Sequence, residues 1–177
     1  MTCRTQLTIA CLVSLFVTVS CSKPGQQSPS ESIAIPAASP RITSESVVKA
    51  EPQAVEIPSG GSAEAVVRLA IQSGYHINAN PPTFSYLKAT ELEISPADGV
   101  SLGVITYPKA ITRKFPFAPG PLAVYEGETD LKATLKADKS ATPGQRSISA
   151  KLRIQACDEQ VCYPPGALML AIPVNIE

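Results

Sequence analysis

Tryptophan is absent from the chain, and histidine occurs once, at His76. One imidazole leaves the His-rich metal centres and the His-based catalytic triads without their parts. An excess of positive charge is also missing: 15 Lys and Arg offset 15 Asp and Glu, and no block of like charge occurs. A nucleic-acid partner is therefore not expected, because tracking phosphates needs a basic stripe. Neither a phosphate-cradling glycine loop nor a nucleophile–base spacing is present, which sets hydrolases aside. What remains is a chain of 177 residues, 44% hydrophobic and 17% charged. That is one domain's length, with enough apolar content for a core.

The five cysteines fall into two groups. Residues 1–20 carry one positive charge (Arg4), an apolar stretch from Leu7 to Val19, and small residues before Cys21. The stretch is too short for a membrane span and has the layout of a secretory signal peptide. Cys21 after Val19-Ser20 resembles a bacterial lipoprotein cleavage site, where the cysteine becomes the lipidated first residue. Thr18 departs from the usual aliphatic residue, and ordinary signal cleavage nearby is the alternative. Ser22, in place of the Asp that often retains lipoproteins at the inner membrane, favours the outer membrane. The expected location is the periplasm, on a lipid anchor. Residues 21–45 are rich in Ser and Pro and read as a disordered tether, so the folded domain is expected over 46–177.

Within that domain apolar residues alternate with period two, the strand signature. Ala63, Ala65, Val67, Leu69 and Ile71 share one face; so do Leu131, Ala133 and Leu135, then Ile148 to Ala156 at even positions, then Leu168 to Ile176 at even positions. Turn signals at Pro58-Ser59-Gly60-Gly61, Pro96-Ala97-Asp98-Gly99, Pro119-Gly120-Pro121 and Pro143-Gly144 separate the runs. The pattern predicts an all-β fold, an immunoglobulin-like antiparallel β-sandwich, with a closed barrel as the alternative.

The remaining cysteines, Cys157 and Cys162, are an even pair in an oxidising compartment. Parity along the preceding strand puts Cys157 on the outward face. If Asp158-Glu159-Gln160-Val161 forms a hairpin loop, the two cysteines oppose each other with Cα atoms about 4.5–5.5 Å apart, within disulfide reach. Pro164 and Pro165 lack N–H groups and place this corner at a sheet edge. A bond closing so short a loop contributes only about 2 kcal/mol. It reads either as a surface cross-link or as an exchangeable disulfide; two cysteines and a distant histidine do not make a metal site.

The segment Gln155-Ala156-Cys157-Asp158-Glu159-Gln160-Val161-Cys162-Tyr163-Pro164-Pro165 resembles the active-site hairpin of the N-terminal periplasmic domain of the thiol:disulfide interchange protein DsbD. Gly74-Tyr75-His76-Ile77-Asn78-Ala79-Asn80-Pro81 is similar to a second stretch of that family. A third runs from Tyr107-Pro108 through Lys114-Phe115 to Val124-Tyr125-Glu126-Gly127. The resemblance implies an electron relay by thiol–disulfide exchange without a cofactor. In it Cys162 forms mixed disulfides with partners and Cys157 resolves them. It implies a cap loop at residues 113–118 with Phe115 or Phe117 as shield; ordinary core packing is the alternative for both. His76, Asn78 and Tyr163 are expected to line the site. His76 either favours a thiolate or shuttles a proton, or is an ordinary polar residue at a strand end. The implied partners are periplasmic thioredoxin-like or disulfide-isomerase proteins. Because the membrane-embedded and thioredoxin-like domains of DsbD are not matched here, a separate membrane-embedded electron donor is expected. Disulfide correction, cytochrome c maturation and metal-stress defence stay open as alternative tasks.

Overall fold

The computed structural model describes residues 41–97 and 99–177. The signal peptide, Cys21 and most of the tether lie outside the described residues. A short 3-10 turn (Glu45–Val47) leads into β1 (Val48–Pro52), β2 (Val55–Ile57), β3 (Ser62–Ile71), β4 (His76–Asn78), β5 (Glu91–Ile94) and β6 (Val100–Thr106). There follow β7 (Ile111–Arg113), β8 (Leu122–Tyr125), β9 (Glu128–Ala137), β10 (Gly144–Ile154), β11 (Ala156–Cys157) and β12 (Gly166–Ile176). They form three four-stranded sheets, ordered β1-β3-β9-β6, β2-β12-β10-β5 and β11-β4-β8-β7. Every pairing is antiparallel except β2 with β12, which is parallel.

The first two sheets make the expected sandwich. Val67, Leu69, Leu131 and Leu135 from one sheet pack with Ile148, Leu152, Ile172, Val174 and Ile176 from the other in one buried cluster. The alternating residues Glu64, Arg68, Lys132 and Lys136 remain outside. Burying a Val, Leu or Ile contributes about 1.5–3 kcal/mol each, so these faces dominate the stability of the fold.

The third sheet was not singled out by periodicity. Its strands are two to four residues long, too short for alternation to show. A second, smaller apolar cluster of Leu87, Phe115, Leu122 and Val124 lies against it. β10 and β12 pair without a break from Gly144↔Ile176 to Ile154↔Gly166. This long hairpin carries the two cysteines at its tip, between its two arms.

Two expectations need correction. Ser44 and Glu45, assigned to the tether, belong to the fold: Ser44 is fully buried, and Glu45 opens the 3-10 turn with its carboxylate accepting from the Ala167 amide at 3.1 Å. Cys157 is not on an outward face; it is fully buried. β10 stops at Ile154, and the chain rejoins a different sheet at Ala156, where Ala156 pairs with Ile77 and Cys157 with His76. Changing sheets at Gln155 resets the alternation, so Ala156 and Cys157 are both buried.

Candidate functional site

All three segments that carried the family resemblance converge on the third sheet: β4 holds His76–Asn78, β7 and β8 flank the 113–118 loop, and β11 holds Cys157. β11 is its edge strand, as the two prolines require. β4 is delivered by a four-residue turn, Gln72 to Tyr75, whose third residue Gly74 has φ +86° and closes it with a Tyr75 N–H to Gln72 O bond of 3.0 Å. The far end of β4 is held by Tyr125, whose hydroxyl accepts from the Asn80 amide at 3.1 Å.

Cys157 and Cys162 form a disulfide and oppose each other as an antiparallel pair, with Cα atoms 3.9 Å apart. That is closer than the spacing of an ordinary rung. Around them the backbone ladder is half replaced by side chains. On the inner side, Tyr163 N–H donates to Ala156 O at 2.8 Å. The Ala156 N–H does not return the bond to Tyr163; it donates to Ser44 Oγ at 3.0 Å. The Tyr163 carbonyl accepts from Gln155 Nε2 at 3.3 Å. On the loop side, Asp158 N–H donates to Val161 O at 2.9 Å, while Asp158 Oδ1 accepts from the Gln160 and Val161 amides at 2.8 Å each. The turn is thus an Asx turn, and the Asp-initiated loop was its signal in the sequence.

His76 is 2% exposed and stacks on Phe115, ring centroids 4.0 Å apart. Its Nε2 has no hydrogen-bond partner. Burial lowers its pKa to about 4, the Arg113 guanidinium adding to the effect and Asp158 opposing it. At neutral pH the imidazole is uncharged, so it offers one N–H donor and one acceptor. Cys157 therefore sits in one lateral row between Cys162 and His76.

The other expected residues divide clearly. Phe115 is buried and anchors the smaller cluster, so it is both roof over His76 and core residue. Phe117 is 38% exposed and stacks on Phe115 at 5.5 Å. It lines a cleft of about 260 Å³ with Tyr86, Leu87, Val161 and Cys162. Tyr163 donates from its hydroxyl to Asp158 Oδ2 at 2.5 Å, which pushes its pKa up to about 12 and holds the Asp158 carboxyl below the usual range. Asn78, two residues along β4 from His76, is fully buried. Its amide donates to Lys88 O at 3.1 Å and Gln155 Oε1 at 3.0 Å, and it fixes the pivot residue where the chain changes sheets.

Three residues at the site had no role assigned from the sequence. Ser44 and Gln155 close the base of the hairpin. Arg113 lies 3.5 Å from Glu126 and 3.8 Å from Glu159, tying the 113–118 loop to the cysteine loop. A single polar side chain adds no periodic signal, so the contacts of these residues could not be found that way.

Residues 44–172 match the family described as the N-terminal part of the thiol:disulfide interchange protein DsbD. The match begins at Ser44, the first buried residue among those described. Among solved structures, the chain is similar to the N-terminal domain of Neisseria meningitidis DsbD in its reduced form. The identity is 22%, with 76% of this chain and 90% of that chain covered and a TM-score of 0.50. It is also similar to the N-terminal periplasmic domain of ScsB from Proteus mirabilis, at 16% identity, covering 71% of this chain and 44% of that one, with a TM-score of 0.47. No curated protein matches the chain. With a family match spanning most of its length and a disulfide in the cysteine hairpin, the chain belongs to the DsbD N-terminal domain family.

Proposed function

We propose that this protein is a periplasmic thiol–disulfide exchange protein that relays electrons through Cys157 and Cys162 to or from partner redox proteins. The observation carrying this reading is an asymmetry of exposure. Cys157 is fully buried, whereas Cys162 is half-buried and lines an open cleft. A partner thiolate reaches only the Cys162 sulfur. Its attack forms the mixed disulfide and breaks the Cys157–Cys162 bond, and the electron pair departs with Cys157 as a thiolate that takes up a proton. The partner's second thiolate then attacks its own sulfur in the mixed disulfide and releases Cys162. The partner is left oxidised, and this chain holds two more electrons and two more protons. The reverse sequence reduces a client, with Cys162 as the attacking group and Cys157 as the resolving one.

His76 stands beside Cys157 as the group that hydrogen-bonds the departing thiolate or passes its proton. Phe115 and Phe117 shield the pair, the first as roof and the second at the cleft rim. The partners are thioredoxin-like or disulfide-isomerase proteins of the periplasm, with a separate membrane-embedded donor, and Cys21 supplies a lipid anchor in the outer membrane. Complete burial of Cys157 favours a second reading, a binding module with a structural disulfide.

Oxidised glutathione separates the two. In the full chain, a Cys157→Ala variant should gain a glutathione adduct on Cys162, mapped by peptide mass spectrometry. A Cys162→Ala variant should leave Cys157 unmodified while folded. No adduct on Cys162 in the folded protein supports the structural reading instead.

A further inference from the structure

Ser44 lies 112 residues from Ala156 in sequence, yet its hydroxyl occupies the base of the cysteine hairpin. It accepts the Ala156 N–H at 3.0 Å and donates to the Pro164 carbonyl at 2.7 Å. Those two residues lie just outside Cys157 and Cys162 on the two arms. A regular antiparallel pair would return the Ala156 N–H to the Tyr163 carbonyl, but that carbonyl accepts from Gln155 Nε2. A buried amide without a partner is costly, so some group must satisfy Ala156. Ser44 does so and spans to the opposite arm in the same contact. Ser44 is fully buried, and its bond with the Ala156 amide is buried with it.

From this geometry we propose that Ser44 is a positioning residue for the redox pair: its hydroxyl holds the two arms in register when the disulfide is open and so raises the effective concentration of one thiol at the other. The proposal rests on the exchange reading above. Closing the disulfide ring costs chain entropy, and the cost falls when the arms are already held together. When the disulfide is intact it holds the arms itself, and the Ser44 bridge adds little to their separation. When it is reduced, the arms are held by hydrogen bonds: at the loop end Asp158–Val161 and Tyr163–Asp158, and at the base Tyr163–Ala156, the Gln155 side chain and the Ser44 bridge. Loss of the hydroxyl frees the reduced arms more than the oxidised ones, which disfavours the disulfide and raises its potential. No new chemistry is needed. The sulfurs exchange two electrons and two protons with glutathione as before, and only the equilibrium moves.

The test uses the full chain in glutathione redox buffers, with the oxidised fraction of the peptide bearing Cys157 and Cys162 read after alkylation. Ser44→Ala should lower the equilibrium constant for disulfide formation about tenfold, or about 30 mV toward more oxidising values. Ser44→Thr, which keeps the hydroxyl, should recover most of it. A lowered melting temperature with an unchanged potential in Ser44→Ala would overturn the proposal, because it describes a stabilising contact alone. Should the variants fail to fold, hydrogen exchange in the wild-type chain decides: the Ala156 amide must stay protected in the reduced protein, and rapid exchange there overturns the proposal. If the wild-type pair does not equilibrate with glutathione at all, it is the exchange reading that fails.

Discussion

Cys157 lies directly opposite His76 in the β4–β11 ladder, with Cys162 directly opposite on its other side. In the ladder Cys157 is thus flanked by its disulfide partner and by the residue carrying the chain's one imidazole. That imidazole is roofed by Phe115 and kept neutral by burial. Each part of this row makes a prediction.

The His76 imidazole titrates at about 4 in the folded chain, below the ordinary value of 6.5. Between those pH values the unfolded chain binds the extra proton and the folded chain does not, so stability rises with pH there. The His76 contribution should be intact above about pH 6.5 and lost as pH falls toward 4, on the order of 3 kcal/mol in total. Urea unfolding from pH 7.5 to 4.5 measures it. Because the chain holds one histidine, His76→Gln should flatten the slope between pH 6.5 and 5.

The two phenylalanines should separate by their burial. Phe115→Ala removes the anchor of the small cluster and should cost about 3 kcal/mol, together with faster reduction of the disulfide by dithiothreitol. Phe117→Ala at the cleft rim should stay within about 0.5 kcal/mol of wild type and still alter the reduction rate. Equal losses of stability in both variants would show that the rim and the roof are not distinct.

The Asp158–Tyr163 bond should be visible by titration. Tyr163 ionises near 12 while its hydroxyl donates to Asp158. Asp158→Asn removes the charge and should return that phenol toward 10, read as one tyrosine's worth of absorbance shifting to lower pH. A Tyr163 that already titrates near 10 in the wild-type chain contradicts the bond.

Asn78→Ala should destabilise without touching the sulfurs. The substitution leaves the Lys88 carbonyl and Gln155 Oε1 each short of one donor. The expected loss is about 2 kcal/mol by equilibrium unfolding. A variant of unchanged stability would show that Asn78 does not fix the point where the chain changes sheets.

Long-range order in this chain was legible where a strand is long enough to repeat. The core faces of β3, β9, β10 and β12 follow from alternation alone, because Val67, Leu131, Leu152 and Val174 each sit among several neighbours of the same parity. The cysteine pairing was legible for a similar reason, since a four-residue loop leaves few other registers. Parity failed at Gln155, where no Gly or Pro marks the change of sheet and the reset is set by bonds from Asn78 and to Tyr163. Ser44 was invisible for a different reason. Its role depends on a contact between the start of the fold and its last hairpin, and nothing in the local sequence encodes that closure.

The most direct test of exchange through Cys157 and Cys162 is the equilibrium reduction potential of this pair in the full chain. Glutathione buffers would set the poise, and circular dichroism would follow the sheet signal in the same samples. The account predicts a potential between about −270 and −180 mV, the span from thioredoxin to protein disulfide isomerase, with the sheet signal unchanged. A pair that stays oxidised below about −300 mV, or that opens only as the sheets unfold, would contradict it and leave a structural cross-link.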